Sequence, residues 1–157
     1  VRLSPQKKFA RQRVKVVMGD DSSPQYARAQ KATENVWREM AAEFGLLTET
    51  ELSAVLAVPS AGPQFALDEM PARRLLAIER PEGLRYPGFQ VDRQRHAIRP
   101  VMQDLLKVAR GAGRSGASLA LWMVSATGYL DGARPVDLLE SPAAVIDAAI
   151  QSFNVEW

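Results

Sequence analysis

Apolar residues recur at spacings of three and four through Tyr26, Ala29, Thr33, Val36, Trp37, Met40 and Phe44, and Arg28, Lys31, Glu34, Arg38 and Glu43 fall between them. That period is one face of an amphipathic helix. Ser23-Pro24 supplies a cap followed by proline at the first helical position, and Gly45 supplies a left-handed C-cap. The next start is Thr48-Glu49-Thr50-Glu51. It reads as a capping box, in which hydroxyl and carboxylate reciprocally satisfy orphan amides, with Leu47 and Leu52 as the hydrophobic staple. This helix runs to about Val58, where Pro59 stops it; Pro63 then opens a short helix, Gln64 to Met70, closed by Pro71. Two short helices on a tight connector make a helix-turn-helix candidate.

Beyond it, Leu75-Leu76-Ala77-Ile78 and Leu84-Arg85-Tyr86 flank Pro81-Glu82-Gly83, the pattern of a hairpin and hence of a winged arrangement. The remainder reads as helical. Pro100 opens a helix with Val101, Leu105 and Val108 on one face, and the glycines from Gly111 to Gly116 break it. A helix from Ser118 to about Ala126 carries Leu119, Trp122 and Met123. After Tyr129-Leu130 and an Asp131-Gly132 turn, Pro135 opens a short helix, Val136 to Glu140. Ser141-Pro142 caps the last one, with Val145, Ile146, Ala149, Ile150 and Phe153 as its buried stripe. The predicted fold is mainly α: a helix-turn-helix-like N-terminal unit with a short β-hairpin, followed by a C-terminal helical bundle. Three parts follow: a basic, flexible arm over 1–22, a winged helix-turn-helix-like and dimerisation unit over 23–92, and a helical domain over 93–157.

Composition narrows the class. At 157 residues, 46% hydrophobic and 24% charged, the chain has the make-up of a globular domain. No run approaches the ~18 apolar residues of a membrane span, and FARQRVKVVMG is too interrupted by charge for a signal-peptide core. The absence of cysteine excludes disulfides and thiol chemistry and fits a cytoplasmic protein. The net charge of +2 conceals an asymmetry: Arg2, Lys7, Lys8, Arg11, Arg13 and Lys15 meet no acid before Gly19, which leaves the rest of the chain at −4. Such an arm attracts phosphate or an acidic partner, or is simply a solvated leader.

Candidate chemistry is sparse. Gly111-Ala-Gly113-Arg-Ser-Gly116 spells the dinucleotide fingerprint, with Asp131 downstream as a ribose-binding acid. That motif requires a preceding strand, whereas Met102 to Ala109 is helix-periodic, so a helix connector is the better reading. His96 is the only histidine and stands among Arg93, Arg95 and Arg99 with a single acidic neighbour, Asp92, which suits a surface position better than a metal site or a triad. Neither a catalytic set nor a cofactor is indicated. For DNA, Gln64 on the second short helix is the base-reading candidate, although Asp68 and Glu69 beside it repel phosphate. Arg11 and Arg13 in the arm, with Arg73, Arg74, Arg85, Arg93 and Arg95, are the candidates for backbone contacts. Among the aromatics, Trp122 suits a core, Tyr129 suits core or interface, and Trp157 suits an intermolecular contact.

Trp122, followed eight residues later by Leu130-x-Gly132, then Arg134-Pro135 and Leu138-Leu139, resembles the toxin-binding domain of the Xre/MbcA/ParS antitoxins. The upstream element Tyr86-Pro87-x-Phe89-Gln90 is similar to the segment that precedes this domain in many of them, and the likeness covers roughly residues 46–152. Ala126-Thr127 stands where the family usually carries Pro-Asn. The resemblance implies an antitoxin that binds a cognate RES-type, NAD-consuming toxin and represses its own operon with it, as a homodimer within a toxin–antitoxin hetero-oligomer. It implies no cofactor for the chain itself. Trp122 and Leu130 would support the toxin-binding surface, and Tyr129, Asp131, Arg134, Asp137 and Trp157 would make contacts. The alternative is a stand-alone DNA-binding regulator whose C-terminal helices dimerise; a third reading is an adaptor that keeps the fold for another partner.

Overall fold

Ser23 begins the first helix as its sequence suggests, its hydroxyl accepting the Tyr26 amide at 3.1 Å. The computed structural model describes residues 23–56 and 75–154. The basic arm with Arg11 and Arg13, the helix expected over 64–70 with Gln64, Arg73 and Arg74, and the terminal Trp157 all lie outside the described residues. So does the second half of the helix-turn-helix candidate. The chain divides into two units, residues 1–39 and 40–157.

Helix α1, Pro24–Glu43, is exposed along its first turns, Tyr26 and Ala29 included, whereas Trp37 is buried. In the second unit it closes at Gly45, whose amide donates to the Ala41 carbonyl at 3.0 Å. The capping box then forms as read: the Thr48 amide donates to the Glu51 carboxylate at 3.0 Å and the Glu51 amide to Thr48 Oγ1 at 3.2 Å. It starts α2, Glu49–Leu56, and both staple residues, Leu47 and Leu52, are buried. Backbone hydrogen bonding draws the Glu51 carboxyl below the usual glutamate range, with the Thr48 amide as the main cause.

The hairpin is present as β2, Ile78–Arg80, and β3, Gly83–Pro87, paired antiparallel with Ile78 opposite Arg85 and Arg80 opposite Gly83. It is not a free wing. A two-residue strand β1, Leu46–Leu47, pairs with the other side of β3, placing Leu47 opposite Tyr86 in a β1-β3-β2 sheet. Leu47, Leu52, Leu56, Leu75, Tyr86 and Val91 make the core between this sheet and α2. The strand expected to begin at Leu75 starts only at Ile78, because the Leu76 backbone is engaged by a side chain: Gln90 Oε1 accepts its amide and Gln90 Nε2 donates to its carbonyl, both at 2.9 Å. Gln90 itself is 0% exposed.

The element Tyr86-Pro87-Gly88-Phe89-Gln90 therefore has a physical account. Tyr86 fills the core, and Phe89 meets Phe44 edge to face at 5.6 Å between centroids. Gly88 lies so close to the end of α1 that a Cβ there would collide with the Phe44 carbonyl oxygen, and its amide donates to the Gly45 carbonyl at 2.8 Å. A second small hairpin follows, β4, Val91–Asp92, with β5, Ala97–Ile98, where no strands were expected.

Helix α3, Val101–Gly111, buries Val101, Met102, Leu105, Leu106 and Ala109. The glycine-rich stretch after it is a helix end. The Arg114 amide donates to the Ala109 carbonyl at 2.8 Å and the Gly113 amide to Arg110 at 3.0 Å, with Gly113 at φ +72°, which is a Schellman closure. Helix α4, Gly116–Met123, starts two residues before Ser118 because Ser115 Oγ accepts the Ser118 amide, and it ends before Ala126. The short helix expected over 136–140 is a 3-10 turn, Pro135–Leu138. Helix α5, Pro142–Phe153, packs on α3 through Val145, Ala148, Ala149 and Phe153. Two expectations fail here. Ser141 makes no side-chain cap, its carbonyl accepting the Ala144 and Val145 amides instead. Ile150 points outward, 42% exposed, while Ala148 is buried. The described chain is thus mainly helical with small antiparallel sheets, and no described helix is long and apolar enough to cross a membrane.

Candidate functional site

Between α4 and α5 the chain has almost no regular structure, yet its backbone is closely tied. Thr127 Oγ1 accepts the Tyr129 amide at 3.3 Å and starts a 3-10 turn, Gly128–Leu130. The Thr127 carbonyl accepts both the Leu130 amide at 3.1 Å and the Gly132 amide at 2.9 Å, and the Thr127 amide donates to Ala133. Asp131 takes a left-handed conformation, φ +54°, and Gly132 follows at φ +85°. Asp tolerates this region better than most residues, which is why Asp-Gly suits the turn.

The turn holds Tyr129 outward, 48% exposed, while Leu130 is half-buried and Asp131 exposed. The 128–130 turn packs against α5, the helix that carries the exposed Ile150. Two large apolar side chains therefore stand in water on adjoining elements. Trp122, on α4, is half-buried and tilted against Phe153 of α5 at 5.3 Å between centroids. Its Nε1 is buried without an acceptor among the described residues. The Arg114 guanidinium lies 5.6 Å from the Phe153 ring.

Arg134, half-buried, and Asp137, exposed, pair with each other. Arg134 donates to Asp137 at 2.8 and 2.9 Å and forks onto both oxygens of Glu43 at 2.9 and 2.7 Å. Its guanidinium carbon also lies 5.9 Å from the Phe44 ring. The hydrogen bonds from Arg134 draw the Glu43 and Asp137 carboxyls below their usual ranges and push the guanidinium pKa higher still. Glu43 was invisible as a partner from sequence, being 91 positions away. The clamp fixes the start of the 135–138 turn to the end of α1, so both charges already have partners within the chain.

The arginines weighed for DNA separate in space. Arg85 is half-buried on β3, donating to the Leu84 carbonyl at 2.8 Å. Arg93 and Arg95 are exposed in the β4–β5 turn and, with Arg99, line a cleft of about 570 Å³. Glu43 and Glu140 line the same cleft, Glu140 3.8 Å from Arg99, and Phe44 and Leu139 contribute apolar surface. His96, at φ +53°, is exposed and places Nδ1 3.2 Å from the Val55 carbonyl. Compared with known proteins, the chain matches no family model, no curated protein and no solved structure.

Proposed function

We propose that this chain is an antitoxin that binds and neutralises a RES-type, NAD-consuming toxin and takes part with it in repressing its own operon. The observation that carries the reading is the pair Tyr129 and Ile150, exposed at 48% and 42% on elements packed together and on a tied backbone. Rigid aromatic and aliphatic side chains displayed in this way are the usual anchors of protein interfaces, because they remove large apolar areas from water at little cost in conformational entropy. The sequence likeness around Trp122, Leu130, Gly132 and Arg134-Pro135 supplies the toxin class. On this reading Tyr129, Asp131 and Ile150 contact the toxin, Trp122 and Leu130 support them, and Arg134 with Asp137 holds the surface in shape. Neutralisation requires scarce free toxin, hence nanomolar affinity, about −12 kcal/mol. A homodimer within the complex, the contact assigned to Trp157 and a cytoplasmic location belong to the same proposal.

The test is co-expression with the product of the adjacent reading frame. A co-purifying complex is expected, rescuing cells from the toxin, and Tyr129→Asp with Ile150→Asp should abolish both capture and rescue while the helical circular dichroism is kept. Failure to associate with any RES-fold protein encoded beside it would end the proposal. A second reading, a stand-alone DNA-binding regulator, draws on Arg93 and Arg95 standing exposed together. The exposed carboxylate of Glu140 in the same cleft weighs against phosphate at that place.

A further inference from the structure

The β4–β5 turn is built to display its arginines. Asp92 Oδ1 accepts the Gln94 and Arg95 amides, both at 3.1 Å, which holds the backbone in an Asx turn, and the His96 ring anchors the far side to the end of α2. The acidic groups of the cleft are largely engaged. Glu43 is bidentate to Arg134, and Asp92 serves the turn with only a long contact of 3.8 Å to Arg95. Arg93 makes no ion pair among the described residues. Glu140, by contrast, is almost fully exposed and among the described residues meets only Arg99, at 3.8 Å. The cleft thus combines exposed arginines at 93 and 95, an exposed carboxylate at Glu140 and partly exposed apolar surface at Phe44 and Leu139. Its volume of about 570 Å³ lies within the range of sites that take compact ligands, about 300–1,000 Å³.

Charge complementarity decides what fits. A nucleic-acid strand carries uniform negative charge, so a strand laid along the arginines also meets the exposed Glu140. A polypeptide can vary its charge from residue to residue and match charges of both signs at once. We propose that this cleft binds an extended segment of a partner protein, with acidic side chains against Arg93 and Arg95, an apolar one over Phe44 and Leu139, and a basic one toward Glu140. The contact is separate from whatever covers Tyr129, and it assigns Arg93 and Arg95 to protein rather than to DNA.

The test is selection of displayed random nonapeptides on the full chain, with Arg93→Glu/Arg95→Glu as the counter-selected variant. Enriched peptides should carry an acidic pair and a basic residue separated by an apolar one. They should lose about tenfold or more in affinity on the double variant, and Glu140→Lys should shift the preference toward wholly acidic peptides. On the unaltered chain, the selected peptides should move the amide resonances of residues 92–95, a readout that needs no variant to fold. The proposal is overturned if no peptide is enriched over the counter-selected chain, or if enriched peptides leave residues 92–95 unmoved. It is equally overturned if a mixed-sequence DNA duplex displaces the peptides with a steep dependence on salt. None of these results bears on toxin binding through Tyr129.

Discussion

Replacing Gln90 with leucine tests the central claim about how the sheet, the first core and the second hairpin are joined. The side chain is fully buried and makes three hydrogen bonds: from the Leu76 amide at 2.9 Å, to the Leu76 carbonyl at 2.9 Å and to the Pro87 carbonyl at 3.0 Å. Leucine has nearly the same volume, so packing is roughly preserved while the polar groups of a fully buried Leu76 lose their partner. Each buried group left unsatisfied costs about 1–3 kcal/mol, and the Pro87 carbonyl loses less because it can accept twice, so the variant should lose about 3–5 kcal/mol. That is a large part of the ~5–15 kcal/mol typical of a domain. Urea unfolding followed by circular dichroism and tryptophan fluorescence measures it. Gln90→Glu gives a second signature: the carboxylate keeps the acceptor but faces two carbonyls, so burial raises its folded pKa above the unfolded value. Its stability is then fullest at low pH and is lost as pH rises toward 7. A Gln90→Leu loss below about 1 kcal/mol, or a pH-independent Gln90→Glu, would refute the buried-amide account.

Thr48→Ala removes a working capping box and should cost about 1 kcal/mol in the same unfolding assay. Ser141→Ala should stay within about 0.5 kcal/mol, because Ser141 makes no side-chain cap, and a larger loss would show a cap that the structure lacks. Gly88→Ala forces a methyl group onto the Phe44 carbonyl and should lower stability by about 1–3 kcal/mol, seen as a lower melting temperature. Glu43 and Asp137 have folded pKa values below their unfolded ones, so their stabilisation is complete above the ordinary carboxylate values of 4.5 and 3.8 and is lost as pH falls through the lowered folded values. Arg134→Met should therefore flatten the acid limb of the stability–pH curve, and an unchanged limb would show the clamp to be open in solution.

What could be read from sequence was local. The capping box at Thr48, the end of α1 at Gly45, the hairpin turn at Pro81-Glu82-Gly83 (whose Gly83 the structure pairs with Arg80) and the proline openings at Pro24 and Pro142 each rest on chemistry within a few residues, and the structure has them. Strands of two residues carry no period, so β1, β4 and β5 were missed; β1 is specified by its partner Tyr86, 39 positions on. The stripe on α5 is legible in part: Val145, Ala149 and Phe153 are buried as expected, whereas Ile146 is half-buried, Ile150 is exposed and Ala148 is buried in addition. Ile146 and Ile150 fit the helical period as well as Ala148 does, so periodicity alone does not choose between them. Gln90 and Glu43 looked like ordinary polar residues because their roles depend on groups brought near by the fold. At the candidate surface, the turn around Asp131-Gly132 was legible, whereas the pairing of Arg134 with Glu43 and the exposure of Ile150 were not.

On the proposed reading, the irregular stretch between α4 and α5 has a consistent physical purpose. A binding surface loses affinity for every residue that must be ordered on contact, so loops that are already fixed bind more tightly than loops of the same composition that are not. Thr127 collects its own turn through four hydrogen bonds, and Arg134 makes four more, two holding Asp137 in the following segment and two tying that segment to Glu43 at the end of α1. Neither residue needs to touch a partner to matter. Tyr129, at the centre of the first of these turns, has its backbone fixed and its ring free. Long helices would have buried such a ring or spaced it along a cylinder. The short turns instead leave it exposed on an element packed against the helix of Ile150, and the polar ties that make this possible are the residues that sequence periodicity has least power to find.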